Sequence, residues 1–148
     1  MSGTITTIVP TFRRPQLLRR ALRSVLRQTY RDFRVCVYDN ASGDETETVA
    51  REAAAADPRV AYFRHPANIG GAANFLFGMR RVDTPYFSFL SDDDVLLPDF
   101  YEAAMAGFAR SPDALMSATS TIEVDEGGAP LFEPLAHWSR EGLFEPPS

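Results

Sequence analysis

Four short runs of apolar, β-branched and aromatic residues, at 5–9, 34–39, 60–64 and 86–90, alternate along the chain with stretches of helical period. Apolar residues at successive positions, rather than at every second one, suit strands covered on both faces. Between them, Pro15 is well placed at the first position of a helix that runs to about Gln28, with Leu17, Leu18, Ala21, Leu22, Val25 and Leu26 as its apolar stripe. A second helix follows Ser42, whose hydroxyl and Glu45 three residues on predict a capping box, and it ends before Asp57-Pro58. The spacing of Ala72, Phe75, Leu76, Met79 and Val82 predicts a third over 71–82, and a fourth starts at Pro98 and ends near Arg110. Strands alternating with crossover helices imply right-handed βαβ units. The expected fold is therefore α/β, an open and mostly parallel Rossmann-like sheet with helices on both faces. Residues 114–124 read as a further strand and 125–128 as a turn. We expect one α/β domain over 1–125 and an irregular tail, rich in aromatic residues and proline, over 126–148.

Composition removes whole classes of chemistry. All 15 basic residues are arginine, so the chain has no phosphate-loop lysine, Schiff-base lysine or lysine general base. The single cysteine, Cys36, rules out an internal disulfide, and its place between Val35 and Val37 reads as core packing. With only His65 and His137 and no G-x-S-x-G motif, a serine triad or a histidine-rich zinc site is not expected. Nothing resembles a secretion signal and no apolar run is long enough to span a bilayer, so a cytoplasmic location is expected, with peripheral contact at the inner membrane face as its alternative.

Charge is unevenly divided. Residues 13–34 hold eight arginines and one acid, a net +7, against a net −12 in the rest of the chain. Arg19, Arg20, Arg23 and Arg27 lie opposite the apolar stripe of the first helix, where a solvated face would carry charge in any case. The favoured reading is that solvated face, and contact with anionic phosphate or lipid headgroups is the alternative. An arginine-rich nucleic-acid module is not expected, because no aromatic residues are interleaved with the arginines to stack on bases.

Ligands of open α/β sheets bind beyond the carboxyl ends of the strands. Here those positions read Pro10-Thr11-Phe12-Arg13-Arg14, Asp39-Asn40-Ala41-Ser42, His65 through Gly71, and Ser91-Asp92-Asp93-Asp94. Adjacent carboxylates repel unless a cation or a hydrogen-bond network compensates them, and oxygen donors suit magnesium or manganese. A solvated acid near the fourth helix's N-terminus suffices for Asp99 and Asp94, but it explains Asp92 and Asp93 poorly. Asp39 is read either as accepting from a nucleobase ring N–H or as a turn acid bonding the following backbone. Ser42 is assigned to capping, and Gly70 and Gly71 to a tight helix entry that would also allow phosphate to approach the backbone.

Taken in order, Val9-Pro10-Thr11-Phe12-Arg13-Arg14-Pro15, Asp39-Asn40-Ala41-Ser42, Asn68-Ile69-Gly70-Gly71-Ala72-Ala73-Asn74-Phe75, and Phe89-Leu90-Ser91-Asp92-Asp93-Asp94 with Pro98-Asp99 resemble the successive motifs of family 2 glycosyltransferases, which have a GT-A type nucleotide-sugar-binding fold. The resemblance spans about residues 4 to 125. It implies a metal-dependent, inverting transfer of sugar from a nucleoside-diphosphate sugar to an acceptor hydroxyl, as in polysaccharide biosynthesis. It implies that Pro10, Thr11 and Arg13 line the nucleotide pocket, that Asp39 contacts the base, that Asn68, Gly70 and Asn74 lie near the nucleotide or diphosphate, and that Asp92 approaches the ribose. Asp93, as the last acid of a D-x-D type signature, would hold Mn2+ or Mg2+. Ser91 stands where many members carry the first acid, and Ala73 stands where many carry arginine. Members are longer, and their general base lies in a later acidic motif that has no counterpart here. The expectation is a donor-binding part with its base unassigned and its acceptor (glycan, lipid-linked or small molecule) unspecified; a non-catalytic nucleotide-sugar-binding fragment or subunit is the alternative. Self-association through the tail, by way of Phe132, Leu135, Trp138, Leu143 and Phe144, is also expected.

Overall fold

A computed structural model describes residues 4–119, 121–125 and 127–132, and divides the chain into two compact units, 1–99 and 100–148. The first unit holds strands β1 (Ile5–Thr11), β2 (Phe33–Asp39), β3 (Val60–Arg64) and β4 (Tyr86–Phe89), with helices α1 (Pro15–Leu26), α2 (Thr46–Ala56) and α3 (Gly71–Met79) between them. All strand pairs are parallel and the order is β3-β2-β1-β4. Ile8 lies opposite Cys36 on one side and Phe89 on the other. The open α/β sheet expected from the alternation of elements is thus present.

The order of the strands dictates where the helices go. The chain steps outward from β1 to β2 to β3, then returns to the far side of β1 for β4, so right-handed crossovers put α1 and α2 on one face and α3 on the other. Val9, Val35 and Val37 are fully buried, as are Leu18, Ala21 and Val25 of α1. On the opposite face α3 lies so close to the sheet that a Cβ on Gly78 would fall 2.7 Å from the Ile8 side chain and 2.9 Å from that of Tyr38. Cys36 departs from its expected place in the core. It is only half-buried, and lines a shallow cavity of about 250 Å³ with Tyr38, Phe63 and Arg81 on the sheet surface.

Two other local expectations are corrected. Glu45 is the residue before α2, with helical backbone (φ −65°, ψ −8°) and no side-chain cap, so the Ser42–Glu45 capping box does not form. The Ser42 hydroxyl is committed elsewhere, donating to Asp39 and accepting from the Arg13 backbone N–H. In the second unit α4 (Phe100–Arg110) is followed by a strand β5 of only two residues, Glu123–Val124, instead of one over 114–124. β5 pairs antiparallel with β6 (Pro130–Phe132), and the Gly128 N–H bonds the Asp125 carbonyl in the turn between them. Most of the expected tail lies outside the described residues. Among the described residues no helix is long and apolar enough to cross a membrane.

Candidate functional site

The strand order reverses between β1 and β4, because β1 has its successor β2 on one side and the last strand of the sheet on the other. At such a reversal the loops leaving adjacent strands part in opposite directions and open a crevice. A cleft of about 310 Å³ lies in the first unit, lined by Pro10, Thr11, Phe12, Arg14, Asn40, Gly71, Asn74 and Asp92.

A buried hydrogen bond closes its floor. The Thr11 hydroxyl donates to Asp92 Oδ2 at 2.7 Å, with the two residues only 3% and 5% exposed. Arg14 Nη1 donates to Asp92 Oδ1 (3.2 Å) and to Asp93 Oδ2 (2.7 Å), so one guanidinium bridges both acids. The Asp92 charge, and then that of Asp93, push the Arg14 pKa above its ordinary value. Asp93 is held below the usual carboxylate range, chiefly by the Ser91 hydroxyl, which donates to its Oδ1, and further by Arg14. Asp94 moves the other way, raised by burial and by its two acidic neighbours. The segment after the acids is pinned to the end of α1, where Gln28 donates to the Leu97 carbonyl at 2.6 Å and the Leu96 N–H donates to Ser24 Oγ at 3.0 Å.

The β2 loop forms the adjoining wall. Asp39 is fully buried and accepts from Ser42 N (2.9 Å), Ser42 Oγ (2.6 Å) and Tyr62 OH (2.8 Å). Burial, and then this bond to Asp39, raise the Tyr62 pKa well above its ordinary value. The turn-acid role of Asp39 is therefore present, and the carboxylate does not line the cleft. Arg13 also faces this loop, its Nε donating to the Ser42 carbonyl at 3.1 Å while its guanidinium lies 5.1 Å from the Phe12 ring centre. Both loops carry a non-glycine residue in the left-handed region, Arg13 at φ 56° and Ala41 at φ 61°. Such backbone costs on the order of 1–3 kcal/mol and collects at ligand clamps.

The third wall is the entry to α3. Asn40 Nδ2 donates to Asn68 Oδ1 (3.0 Å), which also accepts from the Gly70 N–H, while Asn40 Oδ1 accepts from the Ile69 N–H. Gly70, at φ 88° and ψ 152°, has a conformation that glycine alone adopts freely, and it turns the chain into the helix. Asn74, 1% exposed, donates to the Tyr38 carbonyl (2.8 Å) and accepts from His65 Nε2 (2.9 Å).

Of the residues expected in the site, Pro10, Thr11, Asn74 and Asp92 line the cleft. Arg13, Asp39, Asn68 and Gly70 stand behind it and hold its loops, and Asp93 sits at its rim on Arg14. Arg14, Phe12, Asn40 and Gly71 also line the cleft; all four fall in the strand-end segments read from the sequence, but the resemblance assigned none of them a role. For a hard divalent cation the described residues offer carboxylate oxygen alone. Asp93 is half-exposed and offers carboxylate oxygen, although among the described residues no three acids, histidines or cysteines cluster. A cation here would take its remaining oxygens from water and from a bound phosphate.

Comparison with known proteins agrees with this architecture. The family model described as Glycosyl transferase family 2 matches residues 6–143. The chain is 34% identical over 94 residues to the GalNAc(5)-diNAcBac-PP-undecaprenol beta-1,3-glucosyltransferase of Campylobacter jejuni, covering 63% of this chain and 30% of that protein. It is 37% identical over 112 residues to the succinoglycan biosynthesis protein ExoW of Rhizobium meliloti, covering 72% of this chain and 34% of that one. The structure of S. aureus TarS 1-349 in complex with UDP-GlcNAc superposes with a TM-score of 0.67 at 20% identity, over 72% of this chain and 31% of that one. The mannosyltransferase PcManGT of Pyrobaculum calidifontis, in complex with GDP-Man and Mn2+, gives a TM-score of 0.58 at 23% identity, over 64% and 29%. At these identities the structural likeness shows the fold, which is that of GT-A glycosyltransferases. The chain spans about a third of the length of each of these proteins.

Proposed function

The chain belongs to glycosyl transferase family 2, and from that premise we propose that it is the donor-binding part of an enzyme that transfers a sugar, with inversion, from a nucleoside-diphosphate sugar to an acceptor hydroxyl. The observation that carries this reading is the cleft at the β1/β4 reversal, where a buried Thr11–Asp92 bond and the Arg14 bridge place fixed polar groups beyond the strand ends. Thr11 and Asp92 form a floor on which the nucleoside lies, with Asp92 toward the ribose. Asn40 and Asn68 hold the Gly70–Gly71 entry open, so backbone can approach the diphosphate closely. Asp39 orders the β2 loop beside the base.

Asp93 is the residue that would hold Mn2+ or Mg2+, a cation that, when bound, supplies neutralising charge to the diphosphate leaving group. Arg14 compensates the two acids, and a bound donor brings phosphate oxygens within the reach of the same guanidinium. No general base is assigned. Asp92, the carboxylate that lines the cleft, has both oxygens engaged. The proton of the acceptor hydroxyl is therefore assigned to a group outside the described cleft.

Two proteins of this fold were solved with UDP-GlcNAc and with GDP-Man and Mn2+, so UDP and GDP are the probes to use. Calorimetric titration of the chain with each, with and without Mn2+, should show binding of one that is strengthened by the metal. Absence of binding by either nucleotide at millimolar concentration would overturn the donor-site reading.

A further inference from the structure

The basic segment at 13–34 is only partly used by the cleft. Arg14 is spent on Asp92 and Asp93, Arg34 on Asp83 and Thr6, and Arg19 on Glu52. Arg20, Arg23, Arg27 and Arg31 are exposed, and the structure gives them no ion-pair partner among the described residues. Three of them form a row. At 3.6 residues per turn, Arg20, Arg23 and Arg27 fall within an arc of about 60°, opposite the buried Leu18, Ala21, Leu22 and Val25. Asp32, the single acid of this segment, is occupied by the Thr4 hydroxyl. Like charges three and four residues apart on a helix repel one another, and no ion pair among the described residues offsets that cost on this face.

We propose that the exposed face of α1 is a docking surface for an anionic lipid bilayer. Charge complementarity names the occupant. A band of exposed arginines along α1 and its C-cap matches a plane of phosphate headgroups. The exposed positions of that face, Gln16, Arg20, Arg23 and Arg27, include no aromatic ring on which the bases of a single-stranded nucleic acid would stack. The remainder of the chain carries net −12, so attraction to an anionic membrane has to come from this segment. This inference stands apart from the donor-site reading, since none of the four arginines lines the cleft.

The test is cosedimentation of the full chain with vesicles of phosphatidylcholine alone, or with roughly 30 mol % phosphatidylglycerol, at about 0.05 M and 0.5 M salt. The chain should pellet with the anionic vesicles at low salt and remain free in the other conditions. The variant R20Q/R23Q/R27Q keeps good helix formers on an exposed face and should keep its circular dichroism. Its binding should fall by about a hundredfold, at roughly fivefold per arginine. Arg51→Gln, which removes an exposed arginine from α2, should bind like the original. Failure to bind anionic vesicles at low salt, equal binding by the triple variant, salt-insensitive binding to neutral vesicles, or tighter binding to single-stranded RNA under the same conditions would each overturn the proposal.

Discussion

At the scale of single residues, the acidic run shows how neighbours of one type are given different environments. Asp92 is buried on Thr11, Asp93 stands at the rim with a lowered pKa, and Asp94 has a raised one. Asp99, further along, is exposed. Asp93→Asn should therefore abolish the Mn2+-dependent part of nucleotide binding, whereas Asp99→Asn should leave it unchanged. Calorimetry that finds the two variants alike would remove Asp93 as the metal ligand. Much of this layout was legible, because acids directly after an apolar strand have few structural reasons to be there. The role of Arg14 was not, since sequence does not say which of two adjacent arginines turns toward the acids. The answer depends on Arg13 adopting a positive φ, which turns its own side chain to Ser42.

At the scale of elements, α3 is the helix most dependent on glycine, and its two glycines and the one that precedes it make separable demands. Gly78 lies against Ile8 and Tyr38 with no room for a Cβ, so Gly78→Ala should cost about 1–3 kcal/mol by overpacking. At Gly70 there is open space but a positive φ, and Gly70→Ala should cost about 1–3 kcal/mol through backbone strain alone. Gly71 has neither restriction and sits in the first turn of the helix, so Gly71→Ala should be neutral or stabilising by up to about 1 kcal/mol. Urea unfolding of the three variants would check the order, and a destabilised Gly71→Ala would contradict it. The elements themselves were readable because strands of a parallel sheet are apolar on both faces. The exceptions have local causes. Ser42 looks like a cap from its spacing to Glu45, but the buried Asp39 carboxylate takes up its hydroxyl and backbone N–H. Over 114–124 only Thr119, Thr121, Ile122 and Val124 are strand-prone, the rest being chiefly Ala, Leu, Met and Ser, and among the described residues Glu123 and Val124 alone find a partner strand.

At the scale of the whole molecule, the described sheet ends at β4, whose outer edge has no strand beside it among the described residues. Phe87 and Phe89 on this strand are 51% and 48% exposed. An open edge beside apolar surface is a template for pairing with another chain. The chain should therefore sediment with a concentration-dependent coefficient, and Phe87→Lys should reduce that dependence. If removal of residues after Asp125 abolishes the dependence while Phe87→Lys does not, association runs through the tail instead. The position of β4 has a second result. It is the last of this sheet's four strands in chain order, yet the loop that leaves it supplies Asp92, which meets Thr11 across a separation of 81 residues. A polypeptide leaves the ribosome N-terminus first. β1, β2 and β3 can pair while the segment that completes the cleft has still to be synthesised. The cleft is thus completed in one late event, and a nascent chain halted before residue 86 would hold a three-stranded sheet whose crevice still lacks Asp92.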